Sequence, residues 1–225
     1  MAERLTLALP KGRILKAATP MLEQVGVDLA PLFADRGDRR LRFDLGDDLR
    51  VFLVKPVDVP TYVAHGIAHV GIAGLDTLEE EQRDLYVPVD LGIGRCRMSI
   101  AEPKDRPASM RRGDRVRVAS KYANIAERHY RRRGIQAQII KLYGSVELGP
   151  LTGLADQIVD VVESGETLRQ NGLVEVETLF EVSSRLVVHP PSLKLRRDRI
   201  EPLIEGLRGV VEAQAQAPET EAKSA

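Results

Sequence analysis

The chain has 225 residues, with 33 basic and 33 acidic side chains and 43% hydrophobic residues. This length suits one large domain or two smaller lobes, and the zero net charge gives no general attraction to nucleic acid or to an anionic membrane. A single cysteine, Cys96, excludes a disulfide scaffold and an all-cysteine zinc site. The sequence carries neither a signal-peptide pattern nor the run of roughly 18 apolar residues that a membrane span needs, so we expect a soluble cytoplasmic protein.

Strand and helix patterns alternate through the first part of the chain. Strands are predicted over Arg4–Leu9, Leu49–Val54 and Val70–Ala73, and helices over Ile14–Val25, Asp58–Ala64 and Leu75–Glu81. Within the first helix, Pro20 predicts a kink or an early break. This alternation implies a mostly parallel sheet covered by helices.

The second part of the chain is richer in strands. Strand patterns cover Arg97–Ala101, Arg115–Ala119, Gln138–Leu142, Gln157–Val162 and a longer stretch at Glu175–Val188. Helix patterns cover Lys121–Arg133, which Gly134 ends, and Arg199–Ala213. The tail, residues 214–225, has no large apolar residue, which predicts disorder.

Together the patterns predict an α/β fold of two α/β lobes with a central cleft. Lobe I comprises residues 1–92 and 180–213, and lobe II comprises residues 93–179. Ligands of such proteins usually bind in the cleft.

Charge is unevenly distributed along the second part of the chain. Residues 95–142 hold 14 basic and 4 acidic side chains, whereas residues 143–184 hold 1 basic and 8 acidic ones. A basic segment followed by an acidic one suits a site for a phosphorylated, metal-bound ligand. Two oppositely charged surfaces within one lobe would give the same pattern, and the sequence leaves both interpretations open.

A strand pattern runs directly into Ser164-Gly165-Glu166-Thr167 and a short helix. Glycine lets the backbone approach a ligand, hydroxyls flank it, and N–H groups at a helix start bind anions. The pattern indicates a phosphate-binding loop, although an ordinary strand turn with Ser164 as N-cap looks the same. The nearby Asp156 and Asp160 would repel a bare phosphate but suit a phosphorylated ribose, whose hydroxyls need acceptors, or a bound Mg²⁺.

This stretch resembles the defining motif of the ATP phosphoribosyltransferases, which catalyse the first step of histidine biosynthesis. The matching residues are Glu147, Gly153, Ala155, Ile158, Asp160, Ser164, Gly165, Thr167 and Leu168. Further likeness, in the family's order, covers Leu9–Arg13, Asp58–Val63, Gly71–Asp76, Lys141–Glu147 and Glu175–Phe180. The resemblance implies the two-lobed fold of type II periplasmic binding proteins, and the length resembles the family's short form.

The resemblance also implies the reaction. N1 of ATP attacks C1 of phosphoribosyl pyrophosphate and expels pyrophosphate, with Mg²⁺ as the cofactor, bound through the substrate's pyrophosphate. Such a transfer needs alignment of two anionic substrates and neutralisation of the departing charge rather than a protein nucleophile. The sequence departs from the family's pattern at two positions. His69 stands where the family usually has aspartate, and Lys55 stands where arginine is common. We expect these departures to affect ligand affinity more than the reaction.

Site roles follow as hypotheses. Ser164, Gly165, Glu166 and Thr167 are expected to bind the 5′-phosphate, with Glu166 acting mainly through its backbone amide. Asp156 and Asp160 share one face of an extended strand and are expected to face the ribose hydroxyls, while Glu147 supports the ribose or the metal. Lys11, Gly12 and Arg13 are expected to reach across the cleft to pyrophosphate, with Lys55 as a further binding residue. The catalytic candidates are Lys11, Arg13 and Asp160.

Other polar residues carry weaker signals. His65, His69, His129 and His189 lack metal-ligand spacing, and Cys96 suits a buried apolar position. Tyr143 suits either a base contact or the core.

Three alternatives remain: a non-catalytic two-lobed solute-binding protein, a nucleic-acid module built on residues 95–142, and a phosphoribosyltransferase for another base. The phosphate-loop pattern disfavours the first and the scarcity of aromatics the second. Feedback by histidine needs a second site, which short-form members obtain from a regulatory subunit resembling histidyl-tRNA synthetase. We therefore expect a homodimer within a hetero-oligomer that includes this subunit, and no nucleic-acid or membrane partner.

Overall fold

The computed structural model describes residues 4–35, 39–108 and 115–221, with side chains as far as residue 216. The chain forms two compact units, each with its own sheet and covering helices. The first unit comprises Met1–Leu78, Gln82–Gly94 and Ser183–Ala225, and the second comprises Glu79–Glu81 and Arg95–Val182. The sequence had placed the boundaries at residues 93 and 179 and had not assigned residues 79–81 to the second lobe.

In chain order, the strands are β1 (Leu5–Pro10), β2 (Arg42–Leu45), β3 (Leu49–Val54), β4 (Val70–Gly74), β5 (Tyr86–Asp90), β6 (Cys96–Pro103), β7 (Arg115–Ser120), β8 (Gln136–Lys141), β9 (Gln157–Val162), β10 (Leu173–Val182) and β11 (Ser184–Val188). The helices are α1 (Arg13–Gln24), α2 (Val59–Ala64), α3 (Leu75–Glu81), α4 (Ala123–Arg132), α5 (Leu148–Leu151), α6 (Glu166–Gln170), α7 (Pro190–Leu195) and α8 (Arg197–Glu221). Within the described residues no helix combines the length and the apolar character that a membrane crossing requires.

The sheet of the first unit has six strands in the order β2-β3-β1-β4-β11-β5. The central strand β1 is parallel to β3 and β4, while β2, β11 and β5 run antiparallel to their neighbours. All six residues of β1 are buried, as expected for a strand covered on both faces. One face packs against apolar residues of α1 and α8, and the other packs against Val59 and Val63 of α2.

The sheet of the second unit has five strands in the order β10-β6-β9-β7-β8. Strands β7, β8 and β9 are parallel, and β6 runs antiparallel to both β9 and β10. Three buried polar side chains of this unit form a hydrogen-bonded series. Tyr130 Oη donates to Gln157 Oε1 (2.6 Å), and Gln157 Nε2 donates to Glu102 Oε2 (2.7 Å). These mutual bonds offset the desolvation of the three side chains.

Two expectations about helices differ from the structure. Helix α1 continues through Pro20, because the buried face formed by Leu15, Ala18, Met21 and Leu22 holds the helix together while Pro20 lies exposed. Helix α8 extends to Glu221, whereas the sequence predicted that it ends at Ala213 and that residues 214–225 are disordered. The extension is rich in Ala, Gln and Glu, which favour helix without needing a core. Residues 222–225 of that predicted tail lie outside the described residues.

Candidate active site

The predicted phosphate loop lies at the carboxyl end of β9, between that strand and α6. The carboxyl edge of parallel strands is where α/β proteins commonly bind ligands. Gly165 adopts φ 77° and ψ 0°, a left-handed conformation that favours glycine. The Ser164 hydroxyl accepts a hydrogen bond from the Glu166 N–H at 3.3 Å, which tightens the turn. The local backbone therefore needs glycine here.

Exposed groups of the loop are suited to an anion. Ser164 and Thr167 are exposed, and the first N–H groups of a helix lack intrahelical partners. The Glu166 carboxylate accepts hydrogen bonds from Arg169 Nη2 (2.5 Å) and Gln170 Nε2 (2.6 Å). The Arg169 contact also lowers the pKa of Glu166. The Glu166 carboxylate is thus bound by its neighbours on α6.

Asp160 lies within β9, close to the loop. It is half-buried, and its Oδ1 accepts a hydrogen bond from the Val161 N–H at 2.8 Å. In the strand register it faces Ser99 of β6. Alternation along β9 puts Asp160 on the same face as Val162, which belongs to the buried cluster that includes Leu168 of α6. Helix α6 therefore packs on the face of β9 that carries Asp160.

Asp156 is not brought together with the loop, contrary to the expectation that it faces the ribose. It directly precedes β9, at the end of the strand opposite the loop. Because a strand rises about 3.3 Å per residue, its Cα lies about 13 Å from that of Asp160. Its carboxylate accepts hydrogen bonds from Arg117 Nη2 (2.7 Å), Nε (3.2 Å) and backbone N–H (2.9 Å). The side-chain bonds from Arg117 lower the pKa of Asp156. We therefore assign this carboxylate a structural role.

Glu147 occupies the residue before α5 and is half-buried, with no side-chain hydrogen bond capping that helix. The preceding Val146 belongs to the same buried cluster as Leu168 of α6, so this segment and the loop's helix share one core. Tyr143, in contrast, is 85% exposed and does not belong to the core.

The basic candidates of the first unit lie together at the carboxyl edge of its sheet. Lys11 directly follows β1, and its N–H donates to the Val54 carbonyl of β3 at 3.0 Å, beside Lys55. Gly12 has φ 92° and precedes α1, and Arg13 is the first residue of that helix. Lys11, Arg13 and Lys55 are exposed, and the first turn of α1 contains no acidic residue. Cations and the positive end of a helix dipole thus converge, which suits an anionic ligand.

His69 has a structural explanation. It is buried, its Nδ1 accepts a hydrogen bond from the Thr6 N–H (2.9 Å), and its own N–H donates to the Thr6 carbonyl (2.8 Å). These residues lie near the starts of β1 and β4, at the end opposite Lys11. A carboxylate could accept the same hydrogen bond, so the departure from aspartate concerns the sheet and not ligand affinity.

The uneven charge of the second part also has a structural explanation. Arginines of the basic segment bind carboxylates of the acidic segment in three pairs: Arg97 with Glu175, Arg117 with Asp156 and Arg133 with Glu177. The two segments form neighbouring strands and helices of one unit, and these three pairs neutralise charge within it. This favours the interpretation of complementary surfaces within one lobe.

Asp160 and Glu147 carry carboxylates of the kind that bind divalent metals. Among the residues that the structure describes, no three His, Cys, Asp or Glu side chains cluster as a metal site. Mg²⁺ commonly binds through one or two carboxylates together with substrate phosphates and water. Asp160 and Glu147 can supply such carboxylates.

Comparisons with known proteins identify the family of this chain. A family model described as ATP phosphoribosyltransferase matches residues 55–209. An ATP phosphoribosyltransferase 2 from Geobacter sulfurreducens is 47% identical over 213 residues, which cover 92% of this chain and 98% of the relative. The chain belongs to the ATP phosphoribosyltransferase family. A second relative, from Sorangium cellulosum, is 49% identical over 209 residues, covering 92% of this chain and 96% of that one.

Solved structures give the same family and the fold. This chain is similar to a chain in the ATP phosphoribosyl transferase (HisG:HisZ) complex from Thermotoga maritima. The identity is 36%, the TM-score is 0.80, and the likeness covers 93% of this chain and 99% of that chain. A substrate-binding protein of an amino-acid ABC transporter, at 11% identity and a TM-score of 0.59, covers 98% of this chain and 96% of that protein. That likeness concerns the fold alone and confirms the predicted class of two α/β lobes of the periplasmic-binding type.

Proposed function

We propose that this chain transfers the phosphoribosyl group of phosphoribosyl pyrophosphate to N1 of ATP, giving phosphoribosyl-ATP and pyrophosphate in the first step of histidine biosynthesis. The observation that carries the proposal is the loop Ser164–Thr167, in which a left-handed Gly165 and exposed hydroxyls follow a strand bearing Asp160. Family membership identifies the reaction for which such a loop serves.

The chemistry needs no protein nucleophile. The N1 lone pair of adenine forms the new bond to C1 of the ribose, and the bond from C1 to the pyrophosphate oxygen breaks with its electron pair leaving on pyrophosphate. The protein's task is to align the two substrates and to stabilise the charge that develops on the leaving group.

The second unit holds the sugar phosphate. Backbone N–H groups of Gly165 to Thr167 and the hydroxyls of Ser164 and Thr167 bind the 5′-phosphate. Asp160 accepts hydrogen bonds from ribose hydroxyls, and Glu147 supports the ribose or the metal. Asp156, held by Arg117, keeps the amino end of β9 in place and does not touch the substrate.

The first unit supplies positive charge. Lys11 and Arg13, together with the backbone of Gly12, bind the pyrophosphate, and Lys55 adds a further cation at the same edge. Mg²⁺, when bound through the pyrophosphate oxygens, neutralises part of the leaving group's charge. At Lys55, where an arginine is common in the family, the compact ammonium lacks the planar, two-pronged donor geometry of a guanidinium.

The partner follows from the same family. A chain resembling this one is part of a HisG:HisZ complex in Thermotoga maritima. We infer that this chain forms a homodimer and assembles with a regulatory subunit resembling histidyl-tRNA synthetase. ATP and phosphoribosyl pyrophosphate are cytoplasmic metabolites, so the proposal includes a cytoplasmic location.

The test is release of pyrophosphate from ATP, phosphoribosyl pyrophosphate and Mg²⁺, with omission of each substrate as a control. The proposal expects release only when both substrates are present, and replacing ATP with other purine or pyrimidine compounds should abolish it. A non-catalytic solute-binding protein would bind a ligand without any release. Absence of release, with and without the regulatory subunit, would contradict the proposal.

A further inference from the structure

An arginine–glutamate pair lies directly beneath the phosphate loop. Arg97 of β6 and Glu175 of β10 belong to neighbouring strands of the second unit. Arg97 Nε donates to Glu175 Oε1 at 2.7 Å, and Arg97 Nη2 donates to Oε2 at 2.6 Å. The two side chains are only 30% and 22% exposed. Such a two-pronged contact fixes the orientation of the guanidinium plane.

The third nitrogen of this guanidinium binds the backbone that leads into the loop. Arg97 Nη1 donates to the backbone carbonyl of Glu163 at 3.1 Å, one residue before Ser164. A Cβ placed on Gly165 would lie 3.8 Å from Arg97 Nη2. Arg97 therefore joins β10 to the backbone that enters the loop.

Glu175 is held from its other side as well. Its Oε1 also accepts hydrogen bonds from the hydroxyls of Ser99 (2.7 Å) and Thr178 (3.0 Å). Hydrogen bonding to Arg97 is the largest cause that lowers the pKa of Glu175 to about 2. The carboxylate is thus charged near neutral pH and balances the charge of the guanidinium.

We propose that Arg97 is a positioning residue for the phosphate loop and that Glu175 fixes Arg97. The proposal rests on the function assigned above. A loop that binds phosphate largely through backbone N–H groups has no flexible side chain to compensate for a displaced backbone, so its geometry must be set before the ligand arrives. Arg97 sets it through the Glu163 carbonyl, and it is not itself a ligand of the phosphate.

The decisive variant is Glu175→Gln, which keeps size and one acceptor but removes the balancing charge beside the loop. If Arg97 acted by attracting phosphate, its unbalanced charge would lower the KM for phosphoribosyl pyrophosphate. A positioning role predicts the opposite change, a KM for phosphoribosyl pyrophosphate that is raised about tenfold. The KM for ATP and the kcat should change little. Arg97→Lys, which keeps the charge but loses the planar fork, should raise the same KM.

Arg117→Gln is the matched control, because Arg117 makes a comparable two-pronged pair with Asp156 in the same unit, away from the loop. Melting temperatures of all three variants give the effect on folding. The proposal expects similar losses of stability but a changed KM for phosphoribosyl pyrophosphate only in Glu175→Gln and Arg97→Lys. An unchanged or lowered KM in Glu175→Gln, or an equal rise in Arg117→Gln, would overturn it.

Titration of the same proteins with ribose 5-phosphate separates this inference from the proposed function. Binding of that probe does not require turnover. Weaker binding by Glu175→Gln than by Arg117→Gln supports the positioning role even if the unaltered chain releases no pyrophosphate, whereas equal binding contradicts it even if the chain is an active enzyme.

Discussion

Asp156 and Arg117 form a closed pair in which one carboxylate accepts three hydrogen bonds from a single residue, one of them from the Arg117 backbone N–H. Asp160, four residues further along the chain, lies within β9, two residues before the strand ends. The two aspartates differ in role because Asp156 precedes β9, whereas Asp160 lies near the carboxyl end of that strand.

This difference predicts opposite outcomes for two identical substitutions. Asp156→Asn should destabilise the fold by about 1 kcal/mol, since both partners are partly exposed, and lower the melting temperature by about 2–4 °C. The KM for phosphoribosyl pyrophosphate should not change. Asp160→Asn should raise that KM about tenfold with little effect on melting. Thermal unfolding and steady-state kinetics of the two variants check this. An altered KM for phosphoribosyl pyrophosphate in Asp156→Asn would contradict the structural role and indicate that Asp156 contacts the substrate.

Acid stability should depend on Glu175. Its folded pKa of about 2 lies below the ordinary value of 4.5, so the unfolded chain binds protons more readily than the folded chain as pH falls. The stabilisation is complete above about pH 5 and is lost as pH falls toward 2. Urea unfolding at several pH values should show a shallower loss between pH 5 and pH 3 in Glu175→Gln than in the unaltered chain. If the free energy of unfolding fell equally with pH in both proteins, this role of Glu175 would be contradicted.

Gly165→Ala should impair binding of phosphoribosyl pyrophosphate. The added Cβ meets no atom closer than 3.8 Å, so the effect comes from the left-handed backbone, which costs a residue other than glycine about 1 kcal/mol. Gly172→Ala is the control, because Gly172 has φ 67° with nothing within 4 Å and follows α6 rather than preceding it. Both variants should lose similar stability, but only Gly165→Ala should raise the KM. An equal KM for phosphoribosyl pyrophosphate in the two variants would contradict a role of the loop in binding this substrate.

Feedback inhibition should require the partner. The isolated chain is expected to be weakly active or inactive and insensitive to histidine, while the complex with its regulatory subunit is expected to be active and inhibited. Assays over a range of histidine concentrations, with and without that subunit, check this. Strong histidine inhibition of the isolated chain at full activity would contradict it.

Patterns local to the sequence predicted the central elements well. The strands Leu49–Val54 and Gln157–Val162 and the helix Leu75–Glu81 have the predicted bounds. Apolar residues dominate the two strands, and Gly74 directly precedes the helix. Strands β2 and β5 were missed, since each is short and largely exposed, and its pairing partner decides its structure.

The sequence indicates candidate site residues where the chemistry follows from adjacent positions. The contiguous residues Ser164 to Thr167 indicate the loop, and Lys11 to Arg13 indicate the basic turn. The pairing of Arg97 with Glu175 spans 78 positions, and that of Arg117 with Asp156 spans 39. The sequence carried no pattern that joins such residues, so the first pair was missed and Asp156 was assigned to the substrate. The alternation of Arg97 and Ser99 with apolar neighbours was the available signal for a polar cluster on that face.

The most direct test of the proposed transfer is to observe the bond that it forms. ATP labelled with ¹⁵N at N1 and phosphoribosyl pyrophosphate labelled with ¹³C at C1 are incubated with Mg²⁺ and the chain, alone and with its regulatory subunit. We predict a nucleotide product whose nuclear magnetic resonance spectrum shows one-bond coupling between the two labels, with release of pyrophosphate in equal amount. Folded protein that yields no coupled product in either assembly would contradict the account.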